Sequence, residues 1–119
     1  MTKLRWRNVI RKASKSAGTY QPFFDSVIDT LSGILERRDM ALAEFERTGG
    51  EILVEHHTKT GAVNLEQNPA IRLVNDLNRD ALAYWRDLGL TPAGLKKINE
   101  NALTVKRSTL GEGLASLEG

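Results

Sequence analysis

Six cations and no acid occupy the first fifteen residues: Lys3, Arg5, Arg7, Arg11, Lys12 and Lys15, with Asp25 the first carboxylate. Such a cluster neutralises phosphates and releases their counterions, which gives salt-sensitive and largely sequence-independent affinity for DNA. Trp6, between Arg5 and Arg7, offers a stacking or minor-groove contact beside them. The plainer reading is a solvated terminus that aids solubility. Lys96, Lys97, Lys106 and Arg107 form a second candidate basic patch, which ordinary surface cations near a helix C-terminus would equally explain.

Catalytic groupings are not found in the rest of the chain. No Gly-x-x-x-x-Gly-Lys-Ser/Thr run is present, so the phosphate cradle of a P-loop ATPase is missing. Lys59-Thr60-Gly61 reads as a hairpin turn. His56 and His57 are adjacent, and on a strand they point to opposite faces, so they do not jointly clasp a metal. Asp76 and Asp80, with Arg72 and Arg79, read as a solvated helix face. A two-metal nuclease needs carboxylates converging in a cleft, and no spacing here requires that. The expectation is a non-enzymatic protein without catalytic residues, metal or other cofactor.

The bulk properties agree. A chain of 119 residues is one domain's worth, and small enough that oligomerisation can matter to its stability. Net charge is +2, from seventeen basic and fifteen acidic residues. Setting the first six cations aside leaves eleven against fifteen acids, a net −4 over residues 16–119. The layout is a cationic leader on a mildly acidic body, which suits a polyanionic partner. The absence of cysteine removes disulfides and thiolate chemistry and suits a reducing compartment. No apolar run approaches the roughly 18–20 residues of a membrane span, and the basic N-terminus lacks a signal peptide's apolar region. A cytoplasmic protein is expected.

The elements that must position these residues are mainly α-helical. Residues 1–18 read as a flexible or partly helical basic arm, with Leu4, Trp6, Val9 and Ile10 as a weak apolar face. From Pro22 a strong helical pattern runs through Phe24, Val27, Ile28, Leu31, Ile34, Leu35, Leu42 and Phe45. It predicts either one long helix with a soft spot at Ser32-Gly33 or two helices meeting there, stopped at Gly49-Gly50. Alternation near residues 51–66 around Thr58-Lys59-Thr60-Gly61 predicts a short β-hairpin. A lone hairpin is marginal in water, so it must pack on the helices or on a neighbouring subunit. Asn68 then caps a long helix with Pro69 at its first position, and Ile71, Val74, Leu77, Ala81, Leu82, Trp85 and Leu88 make its apolar stripe. Gly89 stops that helix, Leu90 folds back on Trp85, and Thr91-Pro92 starts a short helix bearing Leu95 and Ile98. The division expected is an arm (1–18), one helical domain (19–103) and a flexible C-terminal tail (104–119).

The order of these pieces resembles the small subunit of phage terminases, in particular the short siphovirus-type family. The resemblance covers roughly residues 20–100 and rests on a helical half ending in Arg47-Thr48-Gly49-Gly50, a polar segment from Glu51 to Gln67, Asn68-Pro69, and Leu88-Gly89-Leu90-Thr91-Pro92 before a basic helix. Many relatives carry an Arg a few residues after the Thr-Pro; this chain has Gly94 and then Lys96-Lys97, so no role of that Arg is carried over. The resemblance implies a ring-forming, non-catalytic homo-oligomer in the host cell cytoplasm. It binds double-stranded viral DNA and hands it to a large subunit that holds the ATPase and nuclease. Multivalent capture by several basic arms would then raise effective concentration, and the Leu-spaced tail is a candidate to order on the large subunit. Two other readings stay open: a small helix-turn-helix regulator presenting Lys96, Lys97 and Asn99 to a groove, and a helical structural or adaptor protein without DNA binding.

Overall fold

The computed structural model describes residues 1–101, so Lys106, Arg107 and the tail expected at 104–119 lie outside the described residues. Helix α1 spans Lys3–Ser16. A single 3-10 turn at Pro22–Phe24 leads into α2, Asp25–Arg47. Strands β1 (Leu53–His57) and β2 (Val63–Gln67) form a hairpin, α3 covers Pro69–Asp87, and α4 occupies residues 92–101. The architecture is mainly helical with one two-stranded antiparallel sheet. Among the described residues no helix is long and apolar enough to cross a membrane.

Helix α2 is the axis of the molecule, with α1 and α3 packed along it. Lys3 lies near Glu36 while Arg11 reaches Asp25, so α1 runs antiparallel to α2. The core holds Ile10 of α1, Ile28, Leu31, Ile34 and Leu35 of α2, Leu77 and Ala81 of α3, and Leu88, all nearly or fully buried. Trp6, Tyr84 and Trp85 pack at its margin. Helix α2 is continuous through Ser32-Gly33: Ser32 is buried and its hydroxyl donates to the Ile28 carbonyl at 2.6 Å, satisfying it within the helix.

Of the two forms expected for residues 1–18, flexible or partly helical, the structure takes the helical one: Lys3–Ser16 is a capped, docked helix rather than a flexible arm. Thr2 Oγ1 accepts from the Arg5 amide, and Ile10 and Ser14 are fully buried against α2. The reason is tertiary: the arm's few apolar residues complete a core that α2 and α3 leave open on one side.

The helix boundaries follow local chemistry. Asn68 Oδ1 accepts from the Ala70 amide at 3.0 Å, capping α3 ahead of Pro69. At the other end the Leu90 amide donates to the Trp85 carbonyl and Gly89 to Arg86, the paired bonds of a Schellman ending. Gly89 has φ +71, a conformation strained for any other residue, and a Cβ there would also require the tip of Ile98 to shift, its Cδ1 lying 2.6 Å away. Thr91 Oγ1 caps α4 by accepting from Gly94. Gly94 is buried, and an added Cβ would sit 2.2 Å from the Arg86 carbonyl oxygen. That backbone-to-backbone approach is the physical reason for glycine at this position.

The hairpin has the register Leu53↔Gln67, Glu55↔Leu65, His57↔Val63 on one face and Val54↔Glu66, His56↔Asn64 on the other. Thr58 closes the turn, its amide donating to the Ala62 carbonyl at 2.9 Å. Of the two expected ways to support it, packing on the helices contributes little: among the described residues neither strand makes extensive contact with a helix.

Candidate nucleic-acid interface

The folding of α1 sorts the six N-terminal cations into two sets by exposure: Lys3, Arg7 and Arg11 are half-buried, whereas Arg5, Lys12 and Lys15 are exposed, Lys15 standing at the edge, one turn beyond Arg11. The first set faces α2. Lys3 Nζ lies 3.2 Å from Asp29 Oδ2, Arg7 pairs with the same carboxylate, and Arg11 Nη2 is 3.4 Å from Asp25 Oδ1. Hydrogen bonds from Lys3 and then Arg7 hold the Asp29 carboxyl below the usual range. Asp25 also accepts from the Tyr20 hydroxyl at 3.0 Å, and burial together with that bond raises the Tyr20 pKa.

The start of α1 is anchored the same way. Glu36 Oε2 accepts from the Lys3 amide at 2.7 Å, placing a carboxylate on an otherwise unpaired N–H at the positive end of the helix. Trp6 Nε1 donates to Asp39 Oδ2 at 2.7 Å, and Arg38 stacks over the indole at 5.4 Å. Burial pushes the Asp39 carboxyl up, but bonds from Trp6, the N-terminal amine and Arg38 outweigh it and hold it low. Trp6 is therefore a docking residue of α1.

The second set points outward. Arg5, Lys12 and Lys15 are exposed, with Asn8 between them. Among the described residues Arg5 and Lys12 side chains make no ion pair, while Lys15 Nζ lies 5.0 Å over the Tyr20 ring. Arg5 and Lys12 are seven residues apart, about 10 Å along the axis. An open concavity of about 460 Å³ lies beside them, lined by Asn8, Arg11, Lys12, Lys15 and Ser16. Its cations are Arg11, Lys12 and Lys15, and Arg11 is its link to the inward set.

The other candidates are scattered. Lys96 and Lys97 are exposed on α4, with Lys96 Nζ 3.9 Å from Glu100 Oε1. They stand on a different element from the α1 stripe. His56 and His57 lie on opposite faces of the hairpin, His56 Nδ1 3.0 Å from Glu66 and His57 Nε2 3.9 Å from Glu55. Asp76 pairs with Arg79 at 3.7 Å on the solvent side of α3. No group of three or more metal-ligating side chains occurs among the described residues.

Sequence reasoning missed the partners of the inward cations. Asp25, Asp29, Glu36 and Asp39 recur at helical spacing along α2, and Lys3, Arg7 and Arg11 recur at i, i+4 along α1. Those matched stripes were the available signal for docking.

A family model described as phage terminase, small subunit, matches residues 2–103. No curated protein and no solved structure matches the chain. The matched span includes α1 as well as every element after it. On a match of that length, the chain belongs to the phage terminase small-subunit family.

Proposed function

We propose that this chain is a non-enzymatic, oligomeric DNA-binding protein that holds viral duplex DNA on the outward face of α1 and presents it to the large terminase subunit. Family membership supports a role in phage DNA packaging and implies association with phage DNA and the large subunit; the small subunit is generally the non-catalytic one. The observation that carries the DNA reading is the exposed Arg5–Lys12–Lys15 stripe on a rigid, docked helix. Each copy offers only a few phosphate contacts, so a single subunit binds weakly and strongly salt-dependently. Several copies in one assembly turn later contacts into intramolecular ones and make capture stable. Docking sharpens this mechanism, because a helix fixed on α2 presents its cations without an ordering cost at each encounter.

The test is fluorescence anisotropy with a labelled duplex over a range of salt, comparing the unmodified chain with a variant carrying Arg5→Ala, Lys12→Ala and Lys15→Ala. These side chains lie in solvent, so the fold is retained. The expected result is weaker binding and a salt slope reduced by up to about 3 per engaged subunit, at about 0.9 per phosphate contact. Equal affinity with an unchanged slope would remove α1 from the interface.

A further inference from the structure

The hairpin carries an apolar face that its own subunit does not cover. Leu53, Val63 and Leu65 are 55%, 53% and 69% exposed and share that face with Glu55 and His57, whose side chains lie 3.9 Å apart. Two strands alone are marginal in water, so this face needs a covering surface. A second uncovered apolar site lies along the α2–α3 pair. Met40 and Leu73, 65% and 49% exposed, rim a groove of about 330 Å³ floored by Ala41 and Leu77, with Arg37 at its edge. Arg37 makes no ion pair among the described residues.

The two sites fit each other. One is apolar with an acid, the other apolar with an unpaired base. Both occur once per chain, so a foreign partner on either would leave the other bare, whereas a second copy covers both. Among the described residues the hairpin makes no extensive contact with its own helices, so the match is assigned between subunits. We infer that the hairpin face of one copy seats in the α2–α3 groove of the next, with Leu65 against Met40 and Leu73 and Glu55 facing Arg37. The surfaces differ, so the contact is heterologous and repeats head to tail, closing into a ring where the rotation permits. This rests on the oligomeric reading proposed above and assigns its contact.

The chain has no cysteine, so introduced thiols report without background. The experiment treats full-length Leu65→Cys, Leu73→Cys and the double variant with a short bismaleimide, beside native mass measurement of the unmodified chain. Expected are a multimer ladder from the double variant, dimers from a mixture of the single variants, and no product from either alone. Glu55→Arg and Arg37→Glu should each raise the subunit dissociation constant roughly fivefold, and the pair together should restore it. Cross-linking of Leu65→Cys by itself would mean hairpins meeting face to face and would overturn the assignment. An oligomeric unmodified chain whose double variant gives no ladder would overturn this contact while sparing the oligomeric reading. A monomer at high concentration would overturn both.

Discussion

Helix α1 and the hairpin flank the same α2–α3 pair, and each is amphipathic, yet they end differently. Helix α1 finds its partner within the chain: Ile10 is fully buried and three of its cations meet carboxylates of α2. The hairpin finds none, and Leu65 stands 69% exposed. The difference lies in complementarity rather than hydrophobicity. The acid spacing on α2 matches the base spacing on α1, so docking α1 satisfies charges and apolar atoms at one time. The hairpin's apolar atoms and acid reach no such matching surface within their own chain among the described residues. One segment is therefore part of the scaffold, and the other is surface awaiting a partner.

The contrast can be broken most severely at Ile10. Ile10→Ala should destabilise the chain by about 2–4 kcal/mol in urea unfolding, because a fully buried side chain leaves a cavity. Leu65→Ala should shift the same transition by less than about 0.5 kcal/mol when measured on dissociated subunits. Equal effects would mean that the hairpin is packed after all. A smaller change is expected at Asn68, whose side chain both caps α3 and donates to the Glu51 carbonyl at 2.9 Å. Asn68→Ala should cost about 1 kcal/mol and speed amide exchange at the base of the hairpin, with α1 unaffected.

The smallest effect distinguishes the two segments by pH. Asp29 and Asp39 have lowered folded-state pKa values, so their stabilisation of docked α1 is fully present above the ordinary carboxylate value of about 3.9. It is lost as pH falls below that value through the folded-state pKa. Amide exchange in α1 should therefore rise on acidification below about pH 4, corrected for intrinsic rates. Replacing Asp29 with Asn should flatten that rise. An α1 whose protection ignores acid would mean that apolar packing alone holds it.

Much of this fold was legible because its boundaries are written locally. Asn68-Pro69, Gly89-Leu90 and Thr58-Lys59-Thr60-Gly61 each specify backbone geometry within a few residues, and the structure uses all three. The fate of α1 was not legible in that way. A cationic stretch reads as an arm until the acids that receive it are found, and these lie on α2, at a sequence separation that periodicity within one segment cannot span. The same omission blurred the candidate site. All six cations were named, but only the packing of α1 separates Arg5, Lys12 and Lys15 from Lys3, Arg7 and Arg11. The docking role of Trp6 was hidden for the same reason, since the Asp39 that takes its N–H lies on α2.

The hydroxyl of Thr19 has a mechanical consequence. It is buried in the loop after α1 and donates to the Leu88 carbonyl at 3.1 Å, at the corner where α3 turns toward α4. The far end of α1 and the hinge of α4 thus hang from one peg. Tension applied along α1 is shared between its seam with α2 and that corner, so tugging on the first helix loads the last.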